Sequence, residues 1–196
     1  MSQDEHIAPL LVVLRDLVAW LEAGQTSGVV IGGVAVSIIG RPRFTQDVDA
    51  LVLLDNSAWA EFLSSGKQFG FVSRISGALD FAMKNRVLLL CHETSGINVD
   101  ISFGALPFEE EAVRRAEWVD VGGVRIPLPP PEDLMIMKAI ARRPRDIADI
   151  ESILDANPGM NLERVRMWVR EFSSTLEMPE ILNDLEAILS RKGNRK

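Results

Sequence analysis

A run of three prolines at positions 129, 130 and 131 divides the sequence into two parts with different hydrophobic periods. Proline lacks a backbone N–H and has a fixed φ angle, so such a run interrupts helices and central strands. Before it, a helical segment at 4–23 precedes short β-branched and apolar runs that are typical of strands. After it, apolar residues recur with a helical period in four segments, 132–141, 144–154, 162–172 and 179–189. The sequence predicts an α+β fold, with a mixed sheet flanked by helices in residues 1–128 and a helical region, 129–196, packed on that core.

The composition is that of an ordinary globular protein, with 47% hydrophobic and 25% charged residues among 196. The single cysteine, Cys91, excludes an intrachain disulfide framework. No apolar run approaches the ~18 residues of a membrane span, and residues 1–5 are polar and acidic, unlike a signal peptide. We therefore expect a cytoplasmic protein. Because the net charge is −7, a nucleic-acid partner would need a local basic patch.

Strand, turn and helix signals follow one another between residues 29 and 54. Residues 29–31 are β-branched, Gly32 and Gly33 follow, and the apolar segment 34–39 ends before Gly40, which predicts a strand, a tight turn and a short helix. Residues 46–54 alternate at first and then become continuously apolar, as in a strand whose far end is buried on both faces. The remaining predictions are a helix at 58–63 capped by Asn56, strands at 71–75, 86–92 and 97–103, and a hairpin at 119–126.

Two acidic residues, Asp47 and Asp49, stand at the polar end of the strand predicted at 46–54. Residues i and i+2 of a strand point to the same face, so the two carboxylates lie side by side and repel each other. A shared divalent cation removes the repulsion, and hard oxygen ligands suit Mg²⁺. An Asp-x-Asp pair also occurs as a solvated strand end or a cap. A third acid, Asp100, lies in another strand pattern, where it alternates with Val99 and Ile101.

The two glycines at 32 and 33 allow a phosphate to approach the backbone at the start of a helix, where N–H groups are unpaired. The alternative is a tight strand–helix turn without a ligand. A dinucleotide site fits less well, because the pattern Gly-x-Gly-x-x-Gly is absent. A nucleoside triphosphate is therefore the preferred ligand.

The strand ending in Gly32 and Gly33, the helix after it, the segment 41–49 with its two acids, and the later Asp100 together resemble the polymerase-β-like nucleotidyltransferase superfamily. Within that superfamily the chain is most similar to AbiEii-type toxins and related bacterial nucleotidyltransferase-like proteins. The resemblance covers roughly residues 29–153.

The resemblance implies roles for these residues. Asp47 and Asp49 would hold two Mg²⁺ ions, and Asp100 would complete the second metal site and activate the acceptor hydroxyl. Gly32 and Gly33 would hold the triphosphate. The superfamily usually has Gly-Ser at this turn, whereas here Gly33 takes the second place and Ser37, one helical turn later, is the candidate hydroxyl for binding the nucleotide.

The helices after the proline run contain a second group of charged residues. Lys138 and Arg142 share a helix face by their spacing of four, and similar positions in AbiEii-like relatives lie near the nucleotide. The alternative is a solvated helix face with Arg145 paired to Asp149. Arg41 and Arg43, before the acids, are candidates for phosphate or RNA contacts or, alternatively, for an ordinary loop surface.

These residues predict a Mg²⁺-dependent nucleotidyltransferase that moves a nucleoside monophosphate from a nucleoside triphosphate to an acceptor, which is RNA such as tRNA, a protein or a small molecule. The AbiEii-like resemblance favours RNA or protein acceptors in a toxin–antitoxin setting. One alternative is a catalytically inactive nucleotide-sensing or partner-binding module that keeps the fold. Another is a structural protein whose acidic surface binds a basic partner such as an antitoxin.

Overall fold

A computed structural model describes the backbone of residues 3–193 and the side chains of residues 8–191. The polar segment 1–5 therefore lies outside the described side chains. Among the described helices, none combines the length and the apolar character that crossing a membrane requires. Contacts group the chain into two compact units. The first holds the residues up to Val34 and Phe44–Pro129, and the second holds Ala35–Arg43 and the chain from Pro130 onward. The division predicted after residue 128 stays a prediction.

The first unit begins with the long helix α1, strand β1 and the start of helix α2, as the sequence predicts. The helices and strands up to the proline run are α1 (Gln3–Ala23), β1 (Ser27–Ile31), α2 (Gly32–Ile39), β2 (Asp47–Leu53), α3 (Trp59–Gly66), β3 (Phe71–Ser73), α4 (Ala78–Asn85), β4 (Val87–His92), β5 (Asn98–Phe103), α5 (Pro107–Arg114), β6 (Glu117–Val121) and β7 (Val124–Leu128). Helix α2 ends in the second unit.

Five of these strands form a mixed sheet in the order β1-β2-β5-β4-β3. Strands β2 and β5 are parallel, and the other pairs are antiparallel. Strands β6 and β7 form the predicted hairpin, in which Gly122 and Gly123 have φ angles of 61° and 83° that favour glycine. The mixed sheet with flanking helices confirms the predicted α+β fold.

The two faces of β2 differ in burial near its start. Side chains of β2 and β5 that point away from the acids are fully buried: Val48, Ala50, Val99 and Ile101. On the face that carries Asp47 and Asp49, burial increases along the strand until Leu51, which is 2% exposed. The start of β2 is therefore anchored by apolar packing on one side and open on the other.

Two short helices, α4 and α5, were not predicted. Each has eight residues and lies between strand patterns. Helix α5 begins where the Glu109 carboxylate accepts hydrogen bonds from the N–H groups of Ala105 and Leu106. The cap predicted at Asn56 is wrong, because Asn56 is the first residue of a 3-10 turn that Asp55 precedes.

The second unit consists of helices and the end of α2. Its helices are α6 (Pro131–Ala141), α7 (Pro144–Ala156), α8 (Leu162–Thr175) and α9 (Pro179–Gly193). Proline begins α6 and α7, where a missing N–H has no consequence for the helix. The four predicted helical segments are confirmed.

Candidate metal and nucleotide site

Three carboxylate side chains share one face of the sheet at the adjacent strands β2 and β5. Asp47 and Asp49 are the first and third residues of β2, so their side chains point the same way. The parallel register places Asp49 directly opposite Asp100. Because neighbouring strands lie about 4.8 Å apart, the three carboxylates are near one another. The structure brings together the three acids that the sequence indicated.

Asp49 lies against the first residue of helix α2. Gly32 follows Ile31, which pairs with Asp49 across the β1–β2 ladder, and its φ angle is 65°. A Cβ atom added at Gly32 would be 1.9 Å from Oδ2 of Asp49. Only glycine leaves room for this carboxylate, and only glycine readily adopts this backbone conformation. The Asp49 carboxylate therefore lies directly against the beginning of α2, where Gly33 follows Gly32.

Asp47 is the most exposed of the three acids. The hydroxyl of Thr45 donates a hydrogen bond of 2.9 Å to its Oδ1 atom. This contact, between residues two apart in the chain, fixes the direction of the carboxylate as the chain enters β2.

Asp100 forms an ion pair with Arg74, through Oδ1 and Nη2. Burial raises the pKa of the Asp100 carboxyl above its ordinary value of 3.8, and the negative charge of Asp47 raises it further. The guanidinium of Arg74 lowers this pKa but does not outweigh the other two effects. Arg74 was missed in the sequence, because it lies within the strand predicted at 71–75 and belongs to no recognisable motif.

The three acids suit a divalent metal by their chemistry, since hard cations take carboxylate oxygens and since Asp47 and Asp100 interact unfavourably as like charges. Among the side chains that the structure describes, no group of three or more His, Cys, Asp or Glu residues is arranged to hold a metal. Arg74 holds one of the three carboxylates. The chemistry of the three carboxylates suits a divalent cation, while their arrangement in this structure, with Arg74 paired to Asp100, is not that of a metal site.

A cleft of about 770 Å³ lies elsewhere in the first unit, lined by residues that include Ser27, Leu53, Asp55 and Gly104. Leu53 is the last residue of β2, whereas Asp47 is the first. A seven-residue strand spans about 20 Å. The cleft is therefore at the opposite end of β2 from the acids, and we do not assign it to the nucleotide.

Ser37 belongs to the second unit, where it closes the loop after α2. Its hydroxyl donates a hydrogen bond of 2.9 Å to the carbonyl of Arg43. In the same unit, Arg41 binds Asp155 at 2.7 Å, and Arg43 binds Asp149 at 2.9 Å. The two arginines that precede the acids are thus engaged by carboxylates of α7.

Lys138 is buried in the second unit, with a relative exposure of 4%. Its ammonium lies 3.0 Å from Oδ1 of Asp146 and 2.8 Å from Oδ2 of Asp149. Burial raises the pKa of Asp146, but hydrogen bonds from Arg143 and Lys138 have the larger combined effect and lower it below 3.8. These contacts form a buried ion-pair cluster, and a nucleotide contact by Lys138 stays a prediction.

Arg142 is the residue after α6 and has a left-handed φ of 49°. Its guanidinium lies 2.7 Å from Oδ2 of Asp184 and 3.3 Å from Oε1 of Glu180. Both acids belong to α9, so Arg142 joins the end of α6 to that helix. Its predicted nucleotide contact is likewise untested.

Solved structures of other proteins share this fold. The antibiotic-resistance factor ANT(2'')-Ia in solution superposes with a TM-score of 0.60 at 14% identity, over 87% of this chain and 95% of that one. A crystal structure of ANT(2'')-Ia in complex with adenylyl-2''-tobramycin gives a TM-score of 0.55 at 17% identity, over 85% and 98%. An antigenic nucleotidyltransferase-like protein from Paracoccidioides brasiliensis gives 0.55 at 14% identity, over 94% of both chains.

Sequence comparison completes the assignment. A search of curated proteins gives no match. Residues 10–181 match the family described as nucleotidyltransferase of unknown function (DUF6036), so the chain belongs to this nucleotidyltransferase family.

Proposed function

We propose that this protein transfers a nucleoside monophosphate from a nucleoside triphosphate to an acceptor hydroxyl, with Mg²⁺ bound by Asp47, Asp49 and Asp100. The observation that carries the proposal is the placement of these acids on one sheet face, with Asp49 against Gly32. Carboxylates beside a helix start give both the ligands for a cation and the N–H groups for a phosphate.

Each group has a defined task in the proposed reaction. A divalent cation bound to Asp47 and Asp49 would stabilise the charge on the attacking and leaving oxygens. Asp100 accepts the proton of the acceptor hydroxyl as its oxygen forms a bond to the α-phosphorus. The bond from that phosphorus to the oxygen bridging the α- and β-phosphates breaks, and pyrophosphate leaves. No covalent intermediate on the protein is required.

The backbone at Gly32 and Gly33 binds the triphosphate in this proposal. Asp49 closely approaches Gly32, which supports a cation site next to the start of α2. A phosphate bound at that helix start would therefore be neutralised by a cation held at Asp49. Backbone donors take over the task that a serine hydroxyl has in related proteins, because position 33 is glycine.

Two kinds of acceptor have support. A small molecule with a hydroxyl group is supported by the shared fold of ANT(2'')-Ia, which was crystallised with adenylyl-2''-tobramycin. RNA or protein acceptors, with an antitoxin as a partner, are supported by the AbiEii-like sequence resemblance. The net charge of −7 disfavours RNA in the absence of a basic patch, so we rank a small molecule first. Because the donor is a nucleoside triphosphate, we expect the reaction in the cytoplasm.

Transfer of label from each α-³²P-labelled nucleoside triphosphate tests the proposal directly. The acceptors are a small-molecule cell extract, total RNA and the protein itself, each with Mg²⁺. We expect label on one acceptor with wild type and with Glu61→Gln, which removes an exposed charge on α3, but not with Asp49→Asn. Equal transfer by Asp49→Asn and wild type would exclude the assigned site.

A nucleotide-sensing module is the second candidate, favoured by Gly33 at the turn and by the Arg74 ion pair on Asp100. It predicts calorimetric binding of Mg²⁺-ATP without label transfer to any acceptor. If the protein only binds a basic partner, we expect neither Mg²⁺-ATP binding nor label transfer.

A further inference from the structure

Arg74 occupies the same cross-strand row as two of the three acids. Its N–H donates a hydrogen bond of 2.9 Å to the carbonyl of Leu89, which extends the β3–β4 ladder by one residue. Leu89 pairs with Asp100, and Asp100 pairs with Asp49. Residues opposite one another in a sheet project from the same face. Arg74 is therefore built into the sheet face that carries the carboxylates.

The side chain of Arg74 reaches across one strand to make its ion pair. Two ladder spacings separate its strand position from that of Asp100, a distance of about 10 Å. The next residues do not continue the strand, because the hydroxyl of Ser73 donates to the carbonyl of Ile75 and accepts from the Ile75 N–H. This turn ends β3 two residues before the predicted strand end and holds Arg74 beside the site.

The ion pair neutralises a carboxylate in an unfavourable setting. Asp100 is partly buried and lies near the negative charge of Asp47. Its side chain is 36% exposed and that of Arg74 is 29% exposed, so water reaches both partners. A pair that water reaches is separated at far smaller cost than a fully buried one.

We propose that Arg74 is an internal counter-cation, which holds Asp100 in the metal-free protein and is displaced when a divalent cation binds the three acids. This inference rests on the metal site of the proposed function. A guanidinium and a divalent cation compete for the same carboxylate and repel each other at close range. Metal binding therefore requires the Arg74–Asp100 pair to separate.

The competition gives a prediction with a definite sign. Removing the charge of Arg74 removes the competitor, so a metal ion binds the acids more tightly. If Arg74 instead served to hold Asp100 in position for the metal, its loss would weaken binding. A neighbouring opposite charge changes carboxylate equilibria by about one to three pKa units, so we expect at least about tenfold tighter binding.

The experiment measures binding of Mn²⁺ alone, as a probe for Mg²⁺, by the electron paramagnetic resonance signal of the free ion. The full-length proteins are wild type, Arg74→Gln, Arg74→Lys and Arg125→Gln. Arg125, on β7, provides the matched loss of one positive charge in the same unit. We expect tighter binding for Arg74→Gln, and wild-type affinity for Arg74→Lys and Arg125→Gln. Circular dichroism melting curves verify that each variant is folded.

Unchanged or weaker Mn²⁺ binding by folded Arg74→Gln overturns the inference, as does an equal gain in Arg125→Gln. Asp49→Asn separates this failure from that of the proposed function. If wild type binds Mn²⁺ and Asp49→Asn does not, the metal site stands whatever Arg74 does. If neither wild type nor Arg74→Gln binds Mn²⁺, the metal site and the inference fail together.

Discussion

Replacing Gly32 with alanine tests whether the close contact between helix α2 and Asp49 builds the site. An added Cβ atom would lie 1.9 Å from Oδ2, 2.6 Å from Cγ and 2.8 Å from Cβ of Asp49. Rotation of the carboxylate relieves the first two contacts. It does not relieve the third, because the Cβ position of Asp49 is set by the backbone of β2. The start of α2 and β2 must therefore move apart.

Two effects add to the expected loss of stability, and a second variant separates them. Alanine in the left-handed conformation at position 32 costs about 1–2 kcal/mol. Gly96 has a similar φ of 69°, and a Cβ added there meets no heavy atom within 4 Å. Gly96→Ala therefore carries only the conformational cost. We expect Gly32→Ala to lower the free energy of unfolding by a further ~1–3 kcal/mol, the usual range for overpacking.

Urea denaturation of both variants measures these free energies, and Mn²⁺ titration below the unfolding transition reports on the site. We expect Gly96→Ala to bind Mn²⁺ as wild type does and Gly32→Ala to bind it more weakly, since Asp49 is displaced. Equal stability of the two variants, together with wild-type Mn²⁺ binding by Gly32→Ala, would refute the assigned steric role of Gly32.

Two further predictions concern the ion-pair cluster of the second unit. Lys138→Met removes the buried cation that Asp146 and Asp149 share and should lower the free energy of unfolding, measured in urea, by about 3–5 kcal/mol. The exposed Lys84→Met is the control. If Lys138 instead binds the nucleotide, Lys138→Met should lose ATP affinity at unchanged stability. The pKa of Asp146 is lower in the folded state than its ordinary value of 3.8. The stability that this carboxylate adds to the fold is therefore complete above pH 3.8 and is lost as the pH falls through the folded-state pKa. Urea midpoints at decreasing pH should show this loss in wild type but not in Asp146→Asn.

Local sequence patterns were sufficient for most elements of the fold. The segments after the proline run contain several helical turns each, so their apolar period is visible without tertiary information. Glycines at 122 and 123 specify their hairpin because both positions need positive φ. Two helical turns contain few apolar repeats, so of the four described helices with eight residues α2 and α3 were predicted and α4 and α5 were missed.

The acids of the candidate site were recognisable from spacing, but their surroundings were not. Alternation in a strand places Asp47 and Asp49 on one face without any knowledge of the fold. The position of Asp100 beside them depends on the parallel pairing of β2 with β5, which the resemblance supplied and the residues alone did not. Arg74 depends in addition on the β3–β4 and β4–β5 registers, and no local pattern encodes these.

Solvent exposure explains why two cations that both contact carboxylates are expected to behave differently. The side chains of Lys138, Asp146 and Asp149 are 6%, 2% and 4% exposed, so separating them would leave the buried Lys138 ammonium without water and without these two partners. Arg74 and Asp100 are 29% and 36% exposed, and water solvates each partner when the pair separates. Lys138 is conspicuous in the sequence because its helix is otherwise apolar. The same apolar surroundings exclude water and so keep its ion pairs closed. Arg74 belongs to no sequence motif, and in the proposed site its exposure would allow a metal ion to replace it.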